Sequence, residues 1–277
     1  MLFTKMEGLG NDYVYVDGFD VRIDDPETMA RRVSDRHFGI GADGLIQILP
    51  SAVADIRMDM RNADGSLSEM CGNGLRCVGF FAVMRGLVPS RSMTVETGAG
   101  ILGVEVTDIP DPHHATVRIQ MGVPRLEREE IPMLGATGRV LAEPIEVDGE
   151  TFAVTAVSMG NPHAVVYVPD TKTFPVERFG PALENHPSFP NRVNAEFVTV
   201  VDRTEVIQRT WERGTGETMA CGTGAAAVTV AGVLTGTTDS PLTLHLLGGD
   251  LLVEWDGEGP VFQTGPATEV FTGEWMG

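Results

Sequence analysis

The feature that most constrains the fold of this 277-residue chain is an internal repeat. The sequence Cys-Gly-x-Gly begins at Cys71 and again at Cys221, so the two copies lie 150 positions apart. Segments 61–72 and 211–222 align without a gap at the same spacing. A Gly-Asn pair also repeats at this spacing, at Asn11 and Asn161. Three matches at one spacing indicate two homologous halves that repeat the same supersecondary structure.

Each half contains short runs that alternate apolar and polar residues and are rich in Val, Ile and Thr, a pattern typical of β-strands. The strands predicted in the first half span residues 55–60, 92–97, 101–106 and 115–121. Those predicted in the second half span residues 152–157, 163–168, 195–201, 205–211, 242–247 and 250–255. One more strand is predicted at residues 267–275, and its pattern does not tell which half it joins.

A run of helical length follows each Cys-Gly-x-Gly, at residues 75–86 and 225–236. Both runs are apolar almost all round, and a helix without a polar face must be buried. We therefore expect each helix to lie in the middle of a curled sheet. The predicted boundary between the halves lies in segment 121–126, where a strand ends in a glycine and a proline.

Composition limits the location and the partners. No stretch reaches the roughly 18 unbroken apolar residues of a membrane span, and residues 1–18 lack the basic and apolar regions of a signal peptide, so a cytoplasmic protein is predicted. The net charge of −19 argues against nucleic acid and membranes as partners. Only Lys5 and Lys172 among the 20 basic residues are lysines, which favours a surface adapted to a salty cytosol over an ordinary acidic bacterial enzyme.

Three cysteines, Cys71, Cys77 and Cys221, are too few for a disulfide framework. Their spacing lacks the paired CxxC of a zinc site, and no histidine cluster accompanies them, so no metal is predicted. The three cysteines are therefore interpreted as reduced thiols in a reducing compartment. Cys77 has no thiol partner in the repeat, because its counterpart is Ala227, and it is predicted to lie in the core.

A Cys-Gly-x-Gly at the start of a helix combines two chemical properties. The first N–H groups of a helix have no internal partners, and glycines let an anion approach them closely. The helix dipole also stabilises a thiolate at that position. A single cysteine there is usually a small buried hydrophobic residue. Two matched cysteines in a repeat favour a functional role.

Two such sites related by pseudo-symmetry would place two thiols on opposite sides of one bound anion. That arrangement suits inversion of a carbon next to a carboxylate, with one thiolate removing the α-proton and the other thiol delivering a proton to the opposite face. A pyridoxal-type cofactor normally stabilises such a carbanion. Lys5 and Lys172 are the only candidates for its Schiff base, and neither has a phosphate-binding loop beside it. No cofactor is therefore predicted, and the helix N-termini must stabilise the charge.

The chain resembles the diaminopimelate epimerase family. The resemblance covers the whole chain through MEGLGNDYV, GADG, NADGS, MCGNGLRC, MGNPH, RVNAEF and ERGTGETMACGTG, in that order. It implies a cofactor-independent enzyme that interconverts L,L- and meso-diaminopimelate in lysine biosynthesis, usually as a homodimer. It also implies an α/β (α+β) fold of two pseudo-symmetric domains, each a curled, mainly antiparallel sheet around a central helix. The domains would span residues 1–121, completed by strand 266–277, and 122–265.

The resemblance also assigns roles to residues. Cys71 and Cys221 would be the two bases. The carboxylate at the reacting centre would be held by Gly72, Asn73, Gly222 and Thr223. The rest of the substrate, mainly its distal amino-acid end, would be bound by Asn11, Asn62, Asn161, Asn194, Glu212 and Arg213. A distal ammonium suits a carboxylate, and a distal carboxylate suits the guanidinium fork.

Two positions stay open. His163 either assists proton handling near a thiol or is a structural histidine after a proline turn. Many family members carry Gln where this chain has Gly44, whose counterpart in the repeat is Asn194, so one amide contact is missing or replaced by water.

Three other functions compete with this one. A proline-racemase-like or hydroxyproline epimerase shares the two-thiol chemistry but has no need for a second amino-acid-recognising cluster. An isomerase of the phenazine pathway resembles the fold but lacks the cysteine pair. A catalytically inactive anion-binding protein would have no reason to retain both thiols.

Overall fold

The computed structural model describes residues 1–68 and 70–277. These residues form two compact units. The first unit contains residues 1–120 and 264–277, and the second unit contains residues 121–263. The sequence predicted domain boundaries at 121/122 and 265/266. Whether the chain forms separate domains with these boundaries stays a prediction.

The elements that begin in the first unit are β1 (Leu2–Gly8), β2 (Asn11–Asp17), α1 (Pro26–Ser34), β3 (Gly44–Leu49), β4 (Ile56–Asn62), β5 (Leu67–Ser68), α2 (Gly72–Met84), β6 (Ser92–Thr97), β7 (Gly100–Asp111) and β8 (His114–Gly122). Strands β1 and β2 are antiparallel, β2 and β3 are parallel, and β3 and β4 are antiparallel. Strand β4 then pairs in parallel with β6, which pairs antiparallel with β7.

The elements that begin in the second unit are a 3-10 turn (Arg128–Glu130), β9 (Glu143–Val147), β10 (Glu150–Ser158), β11 (Pro162–Tyr167), α3 (Val176–Glu184), β12 (Asn194–Asp202), β13 (Glu205–Glu212), β14 (Gly216–Thr218), α4 (Gly222–Thr235), β15 (Leu242–Leu246), β16 (Gly249–Glu254) and β17 (Val261–Glu274). Strands β10 to β13, β15 and β16 pair in the same order and with the same directions as β1 to β4, β6 and β7.

The repeat extends to the register of the strands. Tyr13 pairs with Gly44 across β2 and β3, and His163 pairs with Asn194 across β11 and β12. Both pairs are related by the 150-residue spacing seen in the sequence. The two halves therefore share a backbone scaffold in which counterparts can be compared residue by residue.

Each long apolar helix is surrounded by its own sheet. Helix α2 packs on β1, β2, β3 and β7, and α4 packs on β10, β11, β12 and β16. All residues from Gly72 to Ala82 of α2 are buried, as are those from Gly224 to Gly232 of α4. The predicted mixed α/β (α+β) class, with mainly antiparallel sheets around a central helix, is confirmed.

The sequence patterns missed several elements. Helices α1 and α3 are amphipathic and short, and strands β1 to β3 were not predicted although they carry much of the first unit's core. Strand β17 begins six residues before the predicted strand at 267–275. Its residues 268–274 pair antiparallel with β1, from Glu7↔Thr268 to Leu2↔Glu274. None of the helices formed by residues 1–68 and 70–277 has the length and apolarity needed to cross a membrane.

Candidate active site

Both repeated cysteines stand at the N-cap of a buried helix. Cys71 precedes α2 and Cys221 precedes α4, and both have extended backbone angles, with φ of −133° and −120°. The helices begin three residues before the predicted apolar runs, so the glycines of each motif form the first turn. This geometry confirms the prediction that each thiol lies at a helix N-terminus, where N–H groups and the helix dipole favour a negative charge.

The thiol of Cys221 is enclosed by its own helix start. Only 5% of this residue is exposed. The backbone N–H of Gly224 donates to Sγ over 3.4 Å, and the hydroxyl Oγ1 of Thr223 lies 3.5 Å from Sγ. Two polar groups of the first helical turn are thus directed at the sulfur atom.

The pKa of the Cys221 thiol is raised well above its ordinary value. Burial is the largest cause, followed by the negative charges of Glu212 and Glu196. The pKa of Glu212 is raised as well, mainly by burial, while Thr218 opposes the shift by donating to Oε1 over 2.6 Å. Without a ligand the second unit therefore favours the protonated thiol at Cys221.

A chain of polar side chains leads away from this thiol. The amide Nδ2 of Asn161 donates to Thr223 Oγ1 over 3.2 Å, and Asn161 Oδ1 lies 3.0 Å from Nε2 of His163. The other ring nitrogen of His163 lies 2.8 Å from Oε1 of Glu196. His163 and Glu196 are both fully buried.

Asn194 joins three segments of the second unit. Its Nδ2 donates to the carbonyl of Pro162 over 2.8 Å, and its Oδ1 accepts from the backbone N–H of Arg213 over 2.9 Å. The guanidinium of Arg213 is exposed and donates to the carbonyl of Asn191 over 2.9 Å. Asn194 thus fixes the backbone from which Arg213 projects.

The first unit places a cation near its thiol. Cys71 is partly exposed, and the positive charge of the fully buried Arg76 interacts with Cys71 and with Cys77. Arg76 donates to Asn73 Oδ1 over 2.7 Å and to the carbonyl of Pro266 over 3.0 Å. Asn73 Nδ2 in turn donates to Oδ1 of Asn11 over 2.5 Å.

The chain of amides in the first unit ends on a carboxylate. Asn11 Nδ2 donates to Asp43 Oδ2 over 3.2 Å, and Arg36 donates to Asp43 Oδ1 over 2.9 Å. Because arginine can only donate and a carboxylate can only accept, the direction of every hydrogen bond from Arg76 to Asp43 is determined. The amide orientations of Asn11 and Asn73 follow from this direction.

The remaining predicted site residues lie at turns and helix starts. Asn62 donates from Nδ2 to Ser66 Oγ over 3.0 Å in the β4–β5 hairpin. Gly72 and Gly222 are buried in the first helical turns, and a Cβ on Gly222 would lie 3.2 Å from Gln263 Oε1. At Gly44, a Cβ would lie 2.1 Å from the carbonyl oxygen of Arg61, so this strand pair leaves no space for a side chain.

Sequence reasoning missed three polar residues near the thiols and their amides, namely Asp43, Arg76 and Glu196. It also missed the contact of Glu212 with Cys221. Asp43 and Glu196 are linked to the thiols only through contacts between elements distant in the sequence. Cys77, predicted to lie in the core, is fully buried, its Sγ donates to the carbonyl of Glu7 over 3.3 Å, and burial raises its pKa to about 12. Within residues 1–68 and 70–277, no cluster of three or more His, Cys, Asp or Glu side chains could hold a metal ion.

Comparison with known proteins identifies the family of the chain. The chain matches the family model described as "Diaminopimelate epimerase" over residues 3–127 and 155–270. The chain belongs to the diaminopimelate epimerase family. Both cysteines and all the predicted substrate-binding residues lie within the two matched segments.

Individual members of the diaminopimelate epimerase family match the chain along almost its full length. The protein named diaminopimelate epimerase from Acetivibrio thermocellus is 53% identical over 275 residues, which are 99% of this chain and 98% of that relative. The protein of the same name from Desulforudis audaxviator is 54% identical over 278 residues, which are 100% and 99% of the two chains.

Solved structures of more distant proteins share the fold. A phenazine biosynthesis protein of the PhzF family from Bacillus anthracis superposes with a TM-score of 0.71 at 20% identity, covering 100% of this chain and 99% of that one. A hydroxyproline epimerase from Agrobacterium vitis gives 0.69 at 17% identity, covering 99% and 90%. At such identities these structures show the fold alone, and the family match separates this chain from the proline-racemase-like alternative.

Proposed function

We propose that this protein is a cofactor-independent isomerase that interconverts L,L-diaminopimelate and meso-diaminopimelate in lysine biosynthesis. Membership of the diaminopimelate epimerase family supports the substrate, since both close relatives carry this name. The observation that carries the mechanism is the pair of cysteines at equivalent helix N-caps of two repeated units.

In this mechanism the thiolate of one cysteine removes the α-proton, and the C–H electron pair stays on the α-carbon as a carbanion. The thiol of the other cysteine then delivers its proton to the opposite face. After one turnover the first cysteine is a thiol and the second a thiolate. The reverse reaction starts from that state, so two thiols with exchanged protonation serve both directions.

The helix starts would stabilise the charge that develops on the substrate carboxylate. Gly72, Asn73, Gly222 and Thr223 belong to the first turns of α2 and α4, whose free N–H groups can bind an anion. Such donors do not reorganise during the reaction, and this supports carbanion formation without an electron-accepting cofactor.

The distal amino-acid end of the substrate would be recognised by Asn11, Asn62, Asn161, Asn194, Glu212 and Arg213. The exposed guanidinium of Arg213 can receive a carboxylate in bidentate fashion. Glu212 has a second role in this proposal. Its interaction with Cys221 supports a part in controlling the proton of that thiol. His163 is linked to Cys221 through Asn161 and Thr223, and this link supports a part for His163 in proton handling.

The experiment is incubation of the protein with L,L-diaminopimelate in deuterated water. The expected result is meso product with deuterium at the inverted α-carbon, because the delivered proton comes from a thiol that exchanges with solvent. Efficient racemisation of proline would instead support the proline-racemase-like function. Binding of diaminopimelate without any exchange would indicate an inactive binding protein.

We also propose a homodimer in the cytoplasm, without nucleic-acid or membrane partners. Leu2, Val270 and Phe271 lie on the paired strands β1 and β17 and are 75%, 53% and 46% exposed. In a symmetric dimer the same apolar patch of a second copy would cover them. Sedimentation of the protein and of Phe271→Asp tests this, since the charged variant should be a monomer. The acidic, lysine-poor surface supports a salty cytosol.

A further inference from the structure

Glu184, a buried carboxylate of the second unit, has no role in the mechanism described above. It is the last residue of α3 and only 6% of it is exposed. Its Oε1 accepts from the backbone N–H of Gly214 over 2.9 Å and from Arg192 over 3.0 Å, and its Oε2 accepts from Nε1 of Trp211 over 2.8 Å. These three partners can only donate. Both oxygen atoms of Glu184 are therefore engaged as acceptors.

The two bonds to Oε1 connect the two segments that also hold Arg213. Gly214 directly follows Arg213 in the hairpin between β13 and β14, and Arg192 directly follows Asn191. The guanidinium of Arg213 donates to the carbonyl of Asn191 over 2.9 Å. One oxygen atom of Glu184 thus ties the backbone beside Arg213 to the backbone that receives its guanidinium.

Arg213 is fixed in this way without being used up as a donor. Its backbone N–H donates to Asn194 Oδ1, and its contact with Asn191 uses one of the five N–H groups that a guanidinium carries. The other N–H groups can still bind a carboxylate. Bidentate binding of a carboxylate depends on the orientation of the guanidinium plane, so it is sensitive to how firmly the arginine is held.

The first unit lacks this carboxylate. Helices α1 and α3 are counterparts at the 150-residue spacing, and Ser34 takes the place of Glu184 at the end of α1. The Ser34 hydroxyl is buried and has no hydrogen-bond partner within residues 1–68 and 70–277. The counterpart of Arg213 is Ala63. The carboxylate therefore occurs in the unit that carries the arginine.

The first unit also shows that a hairpin can be tied to its helix without a buried carboxylate. Arg31 of α1 donates from Nε to the carbonyl of Asp64 over 2.7 Å, and Asp64 is the counterpart of the glycine that Glu184 contacts. Glu184 adds a second bond, to Arg192 in the loop that receives the guanidinium. The counterpart of Arg192 is an alanine, Ala42, which cannot make such a bond.

We propose that Glu184 is a positioning residue for the distal carboxylate of the substrate, because it fixes Arg213 between the β13–β14 hairpin and the loop that contains Asn191. This inference rests on the proposed epimerase function for its substrate. Its structural part concerns the second unit alone. Glu184 acts through Arg213 and touches neither the substrate nor the reacting atoms.

A double-mutant cycle tests the proposal. Glu184→Ser introduces the residue that the first unit has at this place, which is too short to reach Gly214 or Arg192. The KM for L,L-diaminopimelate should rise about 10-fold, with kcat changed less than about 3-fold. In the Arg213→Ala background the same change should raise the KM less than about 2-fold, because its effect passes through Arg213. An equal factor in both backgrounds would overturn the proposal.

Amide hydrogen exchange tests the structural part without turnover. In Glu184→Ser the N–H of Gly214 loses its acceptor, so it should exchange at least about 10-fold faster than in the unmutated protein. Exchange at an unchanged rate would overturn the proposal. Should Glu184→Ser not fold, Glu184→Gln keeps the shape but has one oxygen atom for three donors. Its KM should rise at least about 3-fold, and an unchanged KM would overturn the proposal.

Glu217→Gln is the matched control. Glu217 is a half-buried glutamate of the same hairpin, and it accepts from Nε and NH2 of Arg209 over 2.6 and 2.8 Å. Its KM should stay within about 2-fold, and exchange at Gly214 should not change. A rise in KM equal to that of Glu184→Ser would indicate general loosening of the hairpin and would overturn the proposal. Failure of the unmutated protein to epimerise diaminopimelate would refute the proposed function instead, because the exchange result does not require turnover.

Discussion

In the first unit a buried cation, Arg76, interacts with the partly exposed Cys71. In the second unit the buried Cys221 lies near Glu212 and Glu196, and its pKa is raised. The two thiols nevertheless stand at equivalent N-caps of helices surrounded by sheets of the same strand order. The backbone is repeated, and the charge around the sulfur atoms is not.

The amides that accompany each thiol show the same contrast. Asn11 is fixed through Asn73 between an arginine and an aspartate, whereas Asn161 is fixed between a histidine and a threonine hydroxyl. A two-base reaction needs one thiolate and one thiol before it starts. We infer that Cys221, in the unit with the carboxylates, is the protonated thiol before the reaction starts.

The largest expected effect on activity comes from removing the sulfur atom of either Cys71 or Cys221. Cys71→Ser and Cys221→Ser should each lower kcat by at least about 10²–10⁴-fold, because a hydroxyl is far too weak an acid to replace a thiol in the proton cycle. Conversion of L,L- to meso-diaminopimelate measures the loss. Cys77→Ser should retain most activity, and normal turnover in either of the first two variants would disprove the two-thiol mechanism.

Arg213 tests whether the second unit alone recognises the distal carboxylate, since its counterpart in the first unit is Ala63. Arg213→Lys should raise the KM about 10-fold or more with a smaller effect on kcat, because an ammonium cannot replace the bidentate fork. Arg178→Lys, which alters a surface pair with Asp148, serves as the control. An unchanged KM in Arg213→Lys would remove this residue from the binding site.

Alkylation compares the two thiols directly. At pH 8 iodoacetamide should modify Cys71 at least about 10-fold faster than Cys221, since the thiolate is the reactive form and Cys221 is buried with a raised pKa. The rate at Cys221 should still increase above pH 9. Glu212→Gln should accelerate it at pH 8, because removing a negative neighbour lowers the thiol pKa. Peptide mass spectrometry gives both rates, and equal rates would contradict the inferred asymmetry.

Salt should affect both units alike, because each carries more acidic than basic residues. Raising monovalent salt from 0.01 M to 1 M shortens the Debye length from about 30 Å to about 3 Å and screens repulsion between surface carboxylates. We expect the melting temperature to rise by several degrees and activity to rise with it. A flat or falling melting temperature would show that the acidity has no connection with a salty cytosol.

The smallest predicted effect concerns His245, which lies where β13 pairs with β15. The equivalent pair in the first unit is β4 with β6. His245 on β15 pairs with Ile207, and the first unit has Glu96 opposite Arg57 in the corresponding place. Hydrogen bonds to Asp250 and then Glu205 raise the pKa of His245. The contribution of His245 to the free energy of unfolding is therefore fully present below its unfolded pKa of about 6.5. It is lost as pH rises through the pKa in the folded state.

Urea melts of the unmutated protein and His245→Gln between pH 5 and 9 measure this contribution. The difference in free energy of unfolding should stay below about 1 kcal/mol, since 34% of the side chain is exposed. It should shrink towards high pH. A difference that grows with pH would have the wrong sign for a raised pKa.

The sequence predicted the site best where one local pattern carried the information. Apolar residues all around the runs after Cys71 and Cys221 required buried helices, and the glycines located the helix starts. Glu196 and His163 could not be paired in this way, because they meet through the parallel pairing of β11 and β12. Arg76 lies in a run that was predicted to be buried, but the pattern did not identify its contacts with Asn73 and Pro266.

Helices α1 and α3 were missed for a different reason. Each is nine residues long and covers one face of a sheet, so its apolar positions are too few for a clear helical period. Gly44 shows the opposite case. The resemblance marked it as a departure from the family, but only the short distance to the Arg61 carbonyl explains why no side chain fits there.

The pairing of β17 with β1 has a consequence for synthesis on the ribosome. Strand β1 leaves the exit tunnel long before its neighbour β17, which ends at Glu274. The first unit therefore cannot close its sheet until β17 has been translated, whereas the residues of the second unit are complete by Gln263. Until then the edge of β1 that pairs with β17 has unpaired backbone N–H and C=O groups. Chaperones can bind this exposed edge, and two nascent chains can aggregate through it.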